Sequence, residues 1–476
     1  MLFNSLEFLF FLPTVFIIYW SINRSLRLQN LLIVIASYIF YGWWDWRFLS
    51  LIIISSACDY LIGLGLYRAS DRRSKSILLF LSLSFNLGML GFFKYFNFFV
   101  SSFAAAFAQY GIELNTRSLS IVLPVGISFY TFQTLSYTID VYKGRLKPTE
   151  DVIAFFAFVC FFPQLVAGPI ERAANLLPQF YSKRRFDYNT AADGLRQILW
   201  GMFKKVVIAK ICAENADYIF GSYNDLSSAV LVFGAVCFAF QIYGDFSGYS
   251  DIAIGAAKLF GFRLMVNFSC PYFARNIAEF WRRWHISLST WFRDYVYIPL
   301  GGSYGSILNQ IRNILITFTA SGLWHGANWT FIVWGFLNGL YYIPGMLMHR
   351  RNIVIISTNK YLNAVKEFIS IVLTFSLISF AWIFFRAEDI SHAFSYIGRM
   401  CAFTLSKPSQ TINIIDPTEI NGILVIIIVE WLQRNKEHGL DIKFLYMPVR
   451  WAIYVLITIL ALNYFVEQKP FIYFQF

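Results

Sequence analysis

Two histidines, His285 and His325, mark the ends of the stretch of this chain best equipped for chemistry. It opens as Glu279-Phe280-Trp281-Arg282-Arg283-Trp284-His285-Ile286-Ser287, passes Trp291-Phe292-Arg293-Asp294-Tyr295 and turns at Pro299-Leu300-Gly301-Gly302. It closes as Ser321-Gly322-Leu323-Trp324-His325-Gly326-Ala327-Asn328-Trp329. Imidazole has an ordinary pKa of ~6.5, so the neutral ring is a usable base near pH 7, and a low dielectric favours that neutral form. Polar groups persist in hydrocarbon where they pair, line a cavity or do chemistry, because stranding them is costly. Residue type alone leaves two uses open for each ring. His325 can be a base, or a core ring bonded to a backbone carbonyl between helices. His285, beside Arg282, Arg283 and Trp284, can be functional or can sit on an interfacial helix with a solvated basic face.

The elements that hold these rings must be membrane helices. The chain has 476 residues, 58% hydrophobic and 14% charged, with a mean hydropathy of +0.56. Soluble chains carry about a quarter charged residues, so the composition excludes an ordinary soluble protein. Apolar runs of about 17–25 residues recur throughout and do not alternate, which excludes a lone anchor and a barrel. An all-α polytopic membrane protein follows, with about a dozen transmembrane and re-entrant helices. The net charge of +12 sits in short clusters between apolar runs, which the positive-inside rule explains without nucleic acid. Cys58, Cys160, Cys212, Cys237, Cys270 and Cys401 lie mostly in apolar runs without metal-type spacing, so they read as small hydrophobes and no metal is expected.

In chain order, Phe8 to Trp20, Leu31 to Trp44, Leu51 to Leu66 and Ile77 to Phe93 read as the first spans, with no cleavable signal peptide. Arg68 to Lys75 is the clearest cytoplasmic loop, and Asn97 to Ser120 reads as an outer-surface stretch. Two prolines and a glycine interrupt Phe161 to Pro169, which predicts a broken or re-entrant helix. Ile198 to Ile211 carries Lys204 and Lys205, expected to snorkel toward the cytoplasmic interface. Gly244-Asp245-Phe246-Ser247-Gly248-Tyr249-Ser250-Asp251 does not fit a nucleophile elbow and reads as a polar break in a helix lining a cavity. Trp329 to Leu347, Phe368 to Phe385, Ile423 to Leu432 and Trp451 to Val466 complete the spans, with a long polar loop from Arg386 to Asn421. The whole, residues 1–476, reads as one membrane domain with an extracytoplasmic tail at 467–476.

The runs "FWRRWHISLSTWFRDYVYIPLGGS" and "SGLWHGANWTFIVWG" resemble the membrane-bound O-acyltransferase family, in its bacterial polysaccharide O-acetylation branch. "QIYGDFSGYSDIAIGAAKLFGFRLMVNFSCPYFARNIAEF" and "FFPQLVAGPIER" extend the likeness, which is dense from Pro124 to Tyr342. The resemblance implies tilted helices ringed around a central funnel in the bacterial cytoplasmic membrane. It implies that His325 is the catalytic histidine and that His285 is a second histidine, either another base or an orienting group. It also implies cytoplasmic acetyl-CoA as donor and an acceptor approaching from outside. Arg172, Lys204 and Arg282 are candidates for the coenzyme phosphates, and Asn328, Trp324 or backbone N–H groups for the oxyanion.

The tail Phe471-Ile472-Tyr473-Phe474-Gln475-Phe476 resembles the Phe-x-Tyr-Phe-x-Phe ending of related acylation systems, in which the tyrosine carries the acyl group. Phenol, with a pKa of about 10, needs a base to attack, yet phenolate leaves better than alkoxide. Tyr473 is therefore suited to relay an acetyl group, although Tyr and Phe also serve as interfacial anchors. No serine-esterase motif is evident, so the last transfer is expected to need an extracytoplasmic serine-hydrolase-like partner acting on an exported polysaccharide. Two alternatives stand beside this reading: D-alanyl transfer onto teichoic acid, and a polysaccharide or lipid exporter gated by the histidines.

Overall fold

The computed structural model describes residues 1–114, 119–350, 360–402 and 417–465. Hydrocarbon cannot satisfy backbone N–H and C=O groups, and the described residues satisfy them as helices without a β-strand. Trp46–Arg68, Arg72–Ala108, Ser228–Leu259, Trp329–Arg350 and Lys360–Arg386 are long and apolar enough to cross a membrane. Leu6–Ser21, Leu26–Gly42, Ile420–Gln433 and Met447–Asn463 are shorter apolar helices. The protein is an all-α, multi-pass membrane protein. It forms two compact units, Met1–Leu195 with Ala253–Met265, and Arg196–Ile252 with the described residues from Val266 onward.

The first unit shows how polar groups hold membrane helices together. Asp59, fully buried on Leu49–Arg68, accepts from Ser82 Oγ at 2.6 Å and from Asn86 Nδ2 at 2.8 Å, both on Arg72–Leu90. Ser82 Oγ also lies 3.1 Å from Thr138 Oγ1 on Ile127–Tyr142, so three helices share one knot. Such bonds substitute for the water that hydrocarbon lacks. Phe161 to Pro169 is buried and non-helical, as its prolines and glycine imply. The stretch expected at the outer surface from Asn97 opens as a helix: a π-helical turn at Gly91–Tyr95 runs straight into Phe96–Ala108. Its Phe- and Ala-rich sequence holds no proline or glycine to stop it.

In the second unit, the helix Ser228–Leu259, which runs on into the first unit, passes through Gly244 to Asp251 without a break. Gln197 of the helix Tyr188–Met202 and the lysines of the π-turn Phe203–Ile208 that follows it explain why. Lys204 Nζ lies 2.6 Å from Asp251 Oδ2, and Lys205 pairs with Asp245. Gln197 Nε2 donates to Asp251 Oδ1 at 2.9 Å. The two lysine side chains are only 4% exposed, so they do not snorkel to an interface. Glycine permits the approach: a Cβ on Gly248 would meet the Gly201 carbonyl at 2.7 Å. The polar patch is thus one half of a neutralised helix–helix contact rather than a break. Within the expected Arg386–Asn421 loop, Ile390–Cys401 is helical and buries Tyr396.

Breaking a buried pair from one side leaves a stranded charge, at a cost of about 3–5 kcal/mol. Lys204→Met is therefore expected to lower the thermal midpoint in detergent markedly, and Lys204→Met with Asp251→Leu to recover much of that loss. A double variant as unstable as the single one would show that the ion pair is not what the contact depends on.

Candidate active site

His325 is the last residue of the helix Ile307–His325, whose first turn is capped by Ser306 Oγ accepting from Asn309 N–H at 3.2 Å. A tight turn joins this helix to Trp329–Arg350, and the two pack closely where glycine faces glycine. A Cβ on Gly335 would stand 2.9 Å from Gly322 Cα. Asn328 belongs to the turn: its Oδ1 accepts from Thr330 N–H at 3.1 Å and its Nδ2 donates to the Glu388 carbonyl at 2.7 Å. These bonds engage Oδ1 and one of the two N–H groups of Nδ2. His325 is 3% exposed, with Trp324, Trp334 and Phe385 ring centres at 5.0, 5.1 and 5.4 Å, all near perpendicular or steeply inclined.

His285 occupies a break between two short helices, Ile277–Arg283 and Ile286–Phe292, rather than the face of one interfacial helix. Its φ of 42° and ψ of 54° are left-handed, a conformation that costs a Cβ-bearing residue about 1–2 kcal/mol. Ile286 N–H donates to the Asn267 carbonyl at 2.9 Å and Ser269 N–H donates to the Arg283 carbonyl at 3.0 Å, so two strands of backbone hold the turn. Upstream, Glu279 accepts from Arg275 and Arg283 and neutralises both ends of its short helix. The His285 ring is 1% exposed, packs edge-on to Phe246 at 4.6 Å, and places Nδ1 at 3.1 Å from Asn267 Oδ1.

The two histidines, far apart in sequence, meet: their ring centres are 6.4 Å apart, with Trp324 6.1 Å from His285. The pair is buried and walled by aromatic rings, and imidazoles are the groups most often used for general acid–base proton transfer. Lys204, considered for coenzyme phosphates, is consumed by Asp251, whereas Arg282 is exposed. Tyr473 lies outside the described residues. Reading the sequence singled out neither Asn267 nor the wall formed by Trp334 and Phe385. A lone asparagine in the apolar run Met265 to Cys270 was the available signal for the first.

The left-handed turn makes a specific stability difference. His285→Gly removes the Cβ clash that His285→Ala keeps, so the glycine variant is expected to be more stable by about 1 kcal/mol although both lose the imidazole. Chemical or thermal unfolding in detergent measures this, and equal stability would mean the turn relaxes when the ring is removed.

The family profile described as membrane-bound O-acyltransferase matches residues 149–385. The chain is similar to the probable alginate O-acetylase of Pseudomonas aeruginosa, 42% identical over 405 residues covering 85% of this chain and 75% of that protein. It is similar end to end to the peptidoglycan O-acetyltransferase of Helicobacter pylori, at 33% identity covering 100% of this chain and 98% of the relative. The teichoic acid D-alanyltransferase of Streptococcus thermophilus is 30% identical over 45% of this chain and 55% of its own length. An acyltransferase, rather than an exporter, accounts for this set of relatives, and the chain belongs to the membrane-bound O-acyltransferase family.

Proposed function

We propose that this enzyme takes acetyl from cytoplasmic acetyl-CoA and passes it, through Tyr473, to an extracytoplasmic serine-hydrolase-like partner that O-acetylates an exported or cell-wall polysaccharide. The observation that carries this reading is the buried pair His285 and His325, 6.4 Å apart behind an aromatic wall. An acyl thioester needs a base at the attacking hydroxyl and protection from water, and this setting supplies both. Acetyl as the group and a glycan as the destination are supported by the acetylating relatives, which align with 85% or more of this chain, against 45% for the D-alanylating one.

In this scheme His325 accepts the phenolic proton of Tyr473 as the oxygen attacks the thioester carbonyl. The new C–O bond forms, the C–S bond breaks, and the coenzyme thiolate takes the proton back from His325. Acetyl-tyrosine and free coenzyme A are the products. A serine hydroxyl of the partner then attacks the aryl ester, and the departing phenolate recovers a proton as tyrosine. The likeness of the tail 471–476 to acyl-carrying tails supports this role for Tyr473, with the tail facing outward in the scheme.

Intact mass spectrometry of the purified protein with acetyl-CoA, followed by peptide mapping, tests the scheme. One acetyl mass on the C-terminal peptide is expected, lost in Tyr473→Phe and in His325→Ala. Coenzyme A release without the adduct would make Tyr473 an anchor and leave direct transfer. No reaction with acetyl-CoA, but labelling by a D-alanyl carrier thioester, would move the enzyme to the teichoic acid class.

A further inference from the structure

We infer that Asn267 is a positioning residue that locks His285 in the Nδ1–H tautomer, leaving Nε2 as a second basic nitrogen beside His325. The inference rests on the reading above only in giving His285 a part in proton transfer; the tautomer itself follows from local geometry.

A backbone N–H can only donate, and Ser287 N–H points at the Asn267 side chain, 3.3 Å from its Oδ1. That atom is therefore the acceptor end of the amide. Ser287 Oγ donates to the same oxygen at 3.0 Å, and the other end, Nδ2, donates to Ser250 Oγ at 3.2 Å. Both ends of the amide are thus assigned by their partners, not by an arbitrary flip. His285 Nδ1, 3.1 Å from that oxygen, must carry the proton. In the neutral ring the lone pair then lies on Nε2, which is buried and has no hydrogen-bond partner among the described residues. A ring protonated on both nitrogens would bury an N–H without an acceptor, so the neutral ring is the form this site holds.

Asn267 grips the residue twice. Its main-chain carbonyl accepts from Ile286 N–H, fixing the left-handed turn, while its side chain fixes the ring. It is itself fully buried, and Ser250, which receives Nδ2, precedes the Asp251 that pairs with Lys204. The ring orientation is therefore braced, through Asn267 and Ser250, against the segment that carries the Lys204–Asp251 ion pair. Rotation of the imidazole by half a turn would put Cδ2–H against the amide oxygen, lose the Nδ1–H bond, and move the basic Nε2 to the place Cε1 now holds.

Two measurements on the full-length protein decide the matter. Solid-state ¹⁵N NMR of histidine-labelled protein, with His285 assigned by its absence in His285→Ala, is expected to show a protonated Nδ1 and an unprotonated Nε2. In Asn267→Leu the tautomers should mix or invert. An Nε2–H tautomer in the unsubstituted protein overturns the inference outright. Second, coenzyme A release from acetyl-CoA should fall about 10–100-fold in Asn267→Leu, in kcat more than in KM, and show no further fall when Asn267→Leu is added to His285→Ala. Losses that multiply in the double variant would make Asn267 a general structural support and overturn the positioning role. If Asn267→Leu fails to fold, Asn267→Asp serves in its place. A carboxylate beside Nδ1 favours the imidazolium, so the acidic limb of the rate profile should move to higher pH by about one unit or more. An unmoved limb counts against the role. Should the unsubstituted protein release no coenzyme A while the Nδ1–H tautomer is observed, the acetyl-CoA reading fails and the lock stands.

Discussion

Hydrocarbon offers no partner to a polar group, and this one constraint governs where the chain can place anything hydrophilic. The long helix Ser228–Leu259 carries Asp245 and Asp251 through the interior of the second unit because Lys204 and Lys205 meet them there. Glycines at 201 and 248 bring the backbones close enough for those contacts. Buried ion pairs of this kind add little net stability over apolar packing, but removing half of one is severe, so they specify which surfaces pair. The Asp59 knot in the first unit follows the same rule with neutral donors in place of cations.

The histidine site inherits its order from these contacts. Asn267 leans on Ser250, one residue before an ion-paired aspartate, and His285 leans on Asn267. On the other side, the glycine-lined hairpin fixes His325 at a helix end, and Trp334, Trp382 and Phe385 interlock behind it. Aromatic rings suit this place: they are stiff, fill space without adding unpaired polar atoms, and keep water from a reactive ester.

Much of this was legible in the sequence. Composition and run length were enough to establish a helical membrane protein, and the two histidines stood out as groups able to act as bases near pH 7 in a largely apolar chain. Their meeting was not readable from spacing, since it depends on how the helix hairpin packs. The errors share one cause. Gly244 to Asp251 looked like a break and Lys204 like a snorkelling side chain because each was read alone, whereas each is the other's partner. Asn267 escaped notice because an asparagine declares nothing until its neighbours in space are known. The stretch from Asn97 was read only for its place at the outer surface, so the helix Phe96–Ala108 went unassigned although nothing there interrupts a helix.

The π-turn at Phe203–Ile208 carries an arithmetic consequence. In a regular α-helix, neighbouring residues point about 100° apart, yet here consecutive lysines both reach the same partner helix, at aspartates six positions apart. A π-turn amounts to one extra residue in the coil. Deleting a residue of the turn other than the lysines, such as Val206, would restore a regular helix and swing one lysine away from its aspartate without altering either side chain. The integrity of this contact therefore depends on residue count as well as residue type. Comparison by substitution alone would pass over a change that insertion and deletion would expose.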